Sequence, residues 1–158
     1  MDWRSFLNRR TIRRQISMHS ILFKIRIEAS PEAVYNALST QAGLSSWWTR
    51  AEQDRENFHF FFGPDGDRRV TMRVISSTPD REIRWQCADG PWIEKGEFIF
   101  SIEGTAGGVY LDFAHHGWPE TDDFYKHCNA KWGFFLVVSL KNYLETGVGK
   151  PHPDDPSI

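Results

Sequence analysis

Apolar and polar positions alternate with period two over several short stretches of this chain, and shift to a sustained helical period only once, near the C-terminus. Ile21, Phe23, Ile25 and Ile27 alternate with Leu22, Lys24, Arg26 and Glu28, which predicts a half-buried strand. Ser30-Pro31-Glu32 then supplies a cap, a proline at the first helical position and an acid in the first turn, the signature of a helix start. That helix runs to about Ser39, anchored by Val34, Tyr35 and Leu38, and a second short turn over 41–45 leads into Trp47-Trp48. Further alternating sets follow at Phe58/Phe60/Phe62, Val70/Met72/Val74, Ile83/Trp85/Cys87, Phe98/Phe100/Ile102 and Val109/Leu111/Phe113/His115. Turn residues at 64–67, 79–80, 89–91 and 104–108 separate them, so six to seven antiparallel strands are expected.

Residues 121–147 carry the long helical pattern. Phe124, Cys128, Trp132, Phe135, Leu136, Leu140, Tyr143 and Leu144 recur at spacings of three and four, which places them on one stripe, widened by Phe134, Val137 and Val138. Thr121 is the expected cap, with Asp122 and Asp123 at the positive end of the dipole, and Gly147 and Pro151 end the run. A rod of about 25 residues, roughly 37 Å long, needs a broad apolar surface to lie on. A curved antiparallel sheet wrapped around a long C-terminal helix, with two short helices after the first strand, is the α+β architecture this implies.

Strand parity sends Phe60, Met72, Trp85, Phe98, Phe100, Phe113 and His115 toward that helix, where Cys128, Trp132 and Phe135 meet them. Two outcomes are open. The rings hold sheet and helix apart and leave a groove for a flat or greasy ligand, with Met72 adapting to its shape, or they pack on one another and leave none. Trp47 and Trp48 stand near the mouth, one as lid and the other as core. His115 has inward parity and is the candidate for orienting a ligand's polar end or for acid–base work with Glu94 or Asp112. Cys128 lies on the apolar stripe, where an inert buried thiol is the alternative to a nucleophile.

The ordered set of segments resembles the START-like (SRPBCC) superfamily with its helix-grip fold, which includes the birch pollen allergen, lipid-transfer START domains and polyketide cyclases. The matching pieces are Ile25-Arg26-Ile27-Glu28-Ala29-Ser30-Pro31-Glu32-Ala33-Val34-Tyr35, Leu44-Ser45-Ser46-Trp47-Trp48, Phe62-Gly63-Pro64-Asp65-Gly66, Ile83-Arg84-Trp85, Trp132, and Ser139-Leu140-Lys141-Asn142-Tyr143-Leu144-Glu145-Thr146-Gly147. They are most similar to the bacterial branch resembling the C-terminal domain of the heat-shock-protein-90 ATPase activator homologue, over about residues 21–153. That branch often has Gly-Trp entering the last helix, whereas here Trp132 precedes Gly133. The resemblance implies a binding module for a hydrophobic, lipid-like or aromatic small molecule in the groove between sheet and helix. Its alternatives are a co-chaperone-like interaction protein and an enzyme of cyclase or hydrolase type. It carries no shared catalytic residues and no cofactor. The partners to expect are the small molecule, a chaperone or other protein, and a second copy of the chain as a homodimer.

Composition refines this picture at its edges. A length of 158 residues suits one domain with a full core, and 12 Phe and 7 Trp load that core with rings. A net charge of −2 gives no global attraction to nucleic acid. Cys87 and Cys128 lack CxxC spacing, which points to a reduced, cytoplasmic setting and to no zinc site. No apolar run is of membrane-spanning length, and no nucleophile-elbow, phosphate-loop or dinucleotide motif is present. The first 17 residues hold five arginines and one acid. With Trp3, Phe6 and Leu7 they make a basic amphipathic segment that suits an anionic membrane or a targeting role, or else an extension upstream of a start at Met18. The expected layout is therefore a basic extension over 1–19, the helix-grip domain over 20–150 and a tail over 151–158.

Overall fold

The computed structural model describes residues 18–158, and the basic segment of residues 1–17 lies outside them. Strand β1 (His19–Ile27) buries Ile21, Ile25 and Ile27 and leaves Leu22 and Lys24 exposed. Helix α1 (Pro31–Ser39) starts where its cap predicts: the Ser30 hydroxyl accepts from the Ala33 amide at 3.1 Å. Helix α2 (Gln41–Trp47) is capped by Thr40 in the same way and runs two residues beyond the expected turn.

The remaining strands are β2 (Ala51–Asp54), β3 (Asn57–Phe62), β4 (Arg68–Thr78), β5 (Glu82–Asp89), β6 (Phe98–Thr105) and β7 (Gly108–Trp118). They form one seven-stranded antiparallel sheet in the order β1-β7-β6-β5-β4-β3-β2. Register aligns the inward rows across it: Phe23 faces Phe113, Phe113 faces Phe100, Ile83 faces Phe100, and Met72 faces Cys87 and Phe58. The pairing of β4 with β5 shifts register between Thr71 and Met72 and again between Val74 and Ser76, irregularities of the kind that increase local bend and twist. In β7, Gly117 takes φ +85° against Gly96, and a Cβ there would meet the Gly96 nitrogen at 2.3 Å, so only glycine fits that approach. Strand β2 is the element the alternation did not reveal: with only Ala51 buried out of four residues, it carries no period of its own.

The terminal rod is helix α3 (Asp123–Phe134), a π-helical turn (Phe135–Leu140) and helix α4 (Lys141–Thr146). Asp122, rather than Thr121, caps it, because its carboxylate accepts from the Tyr125 amide at 2.9 Å; a full negative charge at that end is favoured over a hydroxyl. Gly147 closes it at φ +87°, in the left-handed conformation expected. The π turn interrupts what the pattern read as uniform α-helix and buries Phe135, Leu136, Ser139 and Leu140.

Pins at both ends set the rod across the sheet. Tyr125 Oη donates to the Ser20 carbonyl at 2.8 Å, and the Glu28 amide donates to Glu145 at 2.8 Å. That amide bond holds the Glu145 carboxyl below its ordinary value. Lys141 donates to the Arg26 carbonyl and to Glu145. Ser139, fully buried, donates to the Trp47 carbonyl at 2.6 Å and accepts from the Lys150 amide at 2.8 Å. It thereby ties α2 to the C-terminal tail. Among the described residues no helix is long and apolar enough to cross a membrane.

Candidate functional site

Sheet and rod meet along a seam of interlocked rings. Trp132 lies over Phe113 at 4.6 Å between ring centres and over Phe98 and Phe100 at 6.0 and 6.4 Å. Trp85 packs on Phe100 at 4.7 Å, and Trp48 on Phe60 at 4.4 Å. These pairs are tilted or, for Phe100 and Trp132, edge-on, which lets ring edges fill the spaces between ring faces. The middle of the groove, where the rings were expected to hold sheet and helix apart, is therefore solid. Phe60, Met72, Trp85, Phe98, Phe100 and Phe113 are each at most 1% exposed. Trp47 is core as well, its indole donating to the Ala37 carbonyl at 2.8 Å.

The open space lies to one side, as a cavity of about 620 Å³ beside the β3–β4 hairpin. Four pieces of chain wall it, together with Trp48 just after α2. The hairpin gives Phe62, Gly63, Pro64, Arg68, Arg69 and Val70, and the β5–β6 loop gives Gly90, Pro91 and Trp92. The outer turns of the rod give Phe124, His127, Cys128, Lys131, Trp132 and Phe135, and the tail gives His152 and Asp155. Of the residues singled out in the sequence, Trp48, Cys128, Trp132 and Phe135 stand on this wall. Trp47, Phe60, Met72, Trp85, Phe98, Phe100, Phe113 and His115 lie off it. Between the two tryptophans the division of labour is now plain: Trp47 packs inside, and Trp48 bridges core and cavity, 5.8 Å from Trp85 and 4.9 Å from Trp132.

His115 is fully buried, stacked on Phe98 at 3.6 Å. The Trp118 indole donates to its Nδ1 at 3.1 Å, so the ring proton sits on Nε2, which has no partner among the described residues. Burial, reinforced by His116 and Lys95, lowers its pKa to about 3. It is a neutral core imidazole. Glu94 is exposed in the β5–β6 loop, and Asp112 faces outward beside Lys24 at 3.9 Å. Cys128 is held as a thiol, burial raising its pKa to about 11, which suits packing rather than attack.

Charge at the wall is partly cancelled. Lys131 Nζ meets Asp155 at 2.6 Å and donates also to the Pro156 carbonyl. His152 spans Asp155 at 2.9 Å and the Gly63 carbonyl at 3.0 Å, while its amide donates to the Trp48 carbonyl at 2.7 Å. Burial acts to raise the Asp155 carboxyl, but Lys131 and His152 outweigh it and hold the group below its ordinary value. These bonds seat the tail, which closes one side of the cavity. No carboxylate pairs with Arg68 or Arg69 among the described residues, and no cluster of His, Cys, Asp and Glu there is arranged to hold a metal ion.

Sequence reasoning missed Phe62, Trp92, Arg68, Lys131, His152 and Asp155 as wall residues. Parity alone would have found Phe62, which follows Phe58 and Phe60, and Arg68, which precedes Val70 and Met72. Trp92 stands in a loop without periodicity, and the docking of the tail left no local signal.

Residues 28–145 match the family model described as activator of Hsp90 ATPase homolog 1-like protein. A search of the curated proteins found no match. Among solved structures, the chain is similar to the solution structure of the Aha1 dimer from Colwellia psychrerythraea, at 35% identity and a TM-score of 0.75, over 84% of this chain and 100% of that one. It is similar in fold to a conserved protein of unknown function from Enterococcus faecalis, at 19% identity and a TM-score of 0.67, over 88% of this chain and 78% of that one. A Bacillus halodurans protein, at 17% identity and a TM-score of 0.67, shares the fold over 82% of this chain and 99% of that one.

Proposed function

The chain belongs to the family of activator of Hsp90 ATPase homolog 1-like proteins, and from that premise we propose that it is a binding domain for a hydrophobic small molecule held in the cavity beside the β3–β4 hairpin. The observation that carries this is the cavity itself. Its volume of about 620 Å³ falls in the range of small-molecule sites, and Trp48, Trp92, Trp132, Phe62, Phe135 and Val70 line it. A ligand hiding roughly 300 Å² of apolar surface there gains about 7 kcal/mol at ~25 cal/mol per Å², before ordering costs. Phenylnaphthylamine, an uncharged flat probe whose emission rises in apolar surroundings, is expected to bind with one-to-one saturation. His127→Trp, which fills the mouth from an exposed helix position, is expected to abolish it. Absence of saturable binding, or binding indifferent to His127→Trp, sinks the proposal.

A second reading concerns protein partners. The structure similar at 35% identity is a dimer, which favours a homodimer for this chain, and the family description favours a chaperone of the Hsp90 class. Light scattering on the chain alone, and again mixed with an Hsp90 chaperone, tests both. A dimeric mass and a heavier co-eluting complex are expected; a monomer at every concentration and separate elution remove them.

A further inference from the structure

Building on that cavity reading, we propose that the ligand is a flat aromatic anion, its rings against the indoles of Trp48, Trp92 and Trp132 and its carboxylate or sulfonate at Arg68. Shape supports the first half. Trp92 and Trp132 lie 6.5 and 4.9 Å from Trp48, their planes inclined to it by only 32° and 33°. Surfaces so nearly aligned accommodate a planar ring system better than a branched one.

Charge supports the second half. Asp155 is the acid on the wall, and Lys131 and His152 already occupy its two oxygens. The Lys131–Asp155 pair is neutral as a unit, so it calls for no counter-charge from a ligand. Arg68 differs. It opens β4 opposite Phe62 in register and shares the inward parity of Val70 and Met72, and it has no carboxylate partner among the described residues. Asp65 and Asp67 belong to the same hairpin but lie off the cavity wall. Arg69, the next residue, touches the wall as well but has the opposite parity, whereas Arg68 shares the parity of Val70. A guanidinium at the rim of an apolar cavity offers a planar fork that a carboxylate or sulfonate meets with two parallel bonds. Beside apolar walls that attraction is screened less than in open water. A neutral ligand leaves Arg68 with water alone.

A matched pair of probes separates this proposal from the reading it rests on. Anilinonaphthalene sulfonate and phenylnaphthylamine share a ring skeleton and differ by the anion. The full chain is expected to bind the sulfonate about tenfold more tightly, the size of one partly screened charge-assisted bond. Arg68→Gln is expected to erase that preference without weakening the neutral probe, and Arg73→Gln, which removes the same net charge from an exposed position of the same strand off the cavity wall, to preserve it. Naphthoate is expected to displace the sulfonate more effectively than dodecanoate does. Equal affinities for the two probes, both lost in His127→Trp and neither altered by Arg68→Gln, overturn the anion site while the cavity reading stands. Dodecanoate competing as well as naphthoate overturns the planar class. Binding of neither probe overturns this inference and the cavity reading together.

Discussion

Trp48→Ala is expected to lower the unfolding free energy by about 4 kcal/mol, near the middle of the range for removing a buried indole. Trp48 is 2% exposed and meets rings from three parts of the fold: Phe60 and Trp85 on the sheet, Trp132 on the rod, and Trp92 in the β5–β6 loop. Its removal strips a packed ring from both Trp85 and Trp132 and opens space beside the existing cavity, whose wall Trp48 forms. The loss therefore contains both the transfer cost of the ring and the cost of unfilled space. For a chain of this length a change of that size moves the midpoint of thermal unfolding by roughly 10 °C. Urea unfolding of the wild type beside Trp48→Ala and Trp47→Ala is the measurement. Both variants are expected to lose comparable stability, since Trp47 is fully buried and hydrogen-bonded to Ala37, but only Trp48→Ala is expected to change phenylnaphthylamine binding. A loss below about 1 kcal/mol for Trp48→Ala contradicts the ring's place at the junction.

Acidification should weaken the fold well before its carboxylates titrate. His115 has a folded-state pKa lowered to about 3, against roughly 6.5 in an unfolded chain. Between those values the unfolded chain binds a proton that the native state refuses, so stability rises with pH across the window. It is fully present above about pH 6.5 and falls by about 1.4 kcal/mol for each pH unit below it. From about pH 6.5 to 4.5 the drop attributable to this ring is about 2 kcal/mol. The carboxyls of Asp155 and Glu145, held below their ordinary values, act in the same direction only at lower pH, where the unfolded carboxylates begin to protonate. His115→Phe keeps a ring stacked on Phe98 and cannot take a proton. It loses the Trp118 bond at every pH, which is an offset rather than a slope. Urea midpoints measured across the window should fall steeply for the wild type and remain nearly level for His115→Phe. An equal slope in both places the titration elsewhere.

The positions of His115 and of the cavity also mark where local pattern stops being informative. Parity placed His115 on the inner face, and it is there, but facing inward near the rim of a sheet is compatible with a wall position or with burial under Trp118. The choice between them depends on the turn at Gly117, where backbone meets the backbone of Gly96, a contact 21 residues apart in the chain. The same holds for the hollow. Ring abundance suggested one, yet whether rings leave space depends on their mutual tilt, and tilt is set by neighbours from different strands.

What the sequence determined by itself was governed by short-range physics. Period-two alternation specified six of the seven strands and their buried faces, Ser30-Pro31 specified the start of α1, and Gly147 specified the end of the rod, because parity, capping and positive φ each involve only a few adjacent residues. The α+β helix-grip arrangement followed, since one apolar sheet face and one apolar stripe must cover each other. Only the tertiary structure decided that β2 joins the sheet edge, that the middle of the groove is closed, and that the cavity lies beside the hairpin with the tail as its fourth side. Those features come from pairings between distant segments, such as His152 with Gly63 and Lys131 with Asp155. No residue's nearest neighbours in sequence encode such pairings, because their energy exists only once the whole chain has brought the partners together.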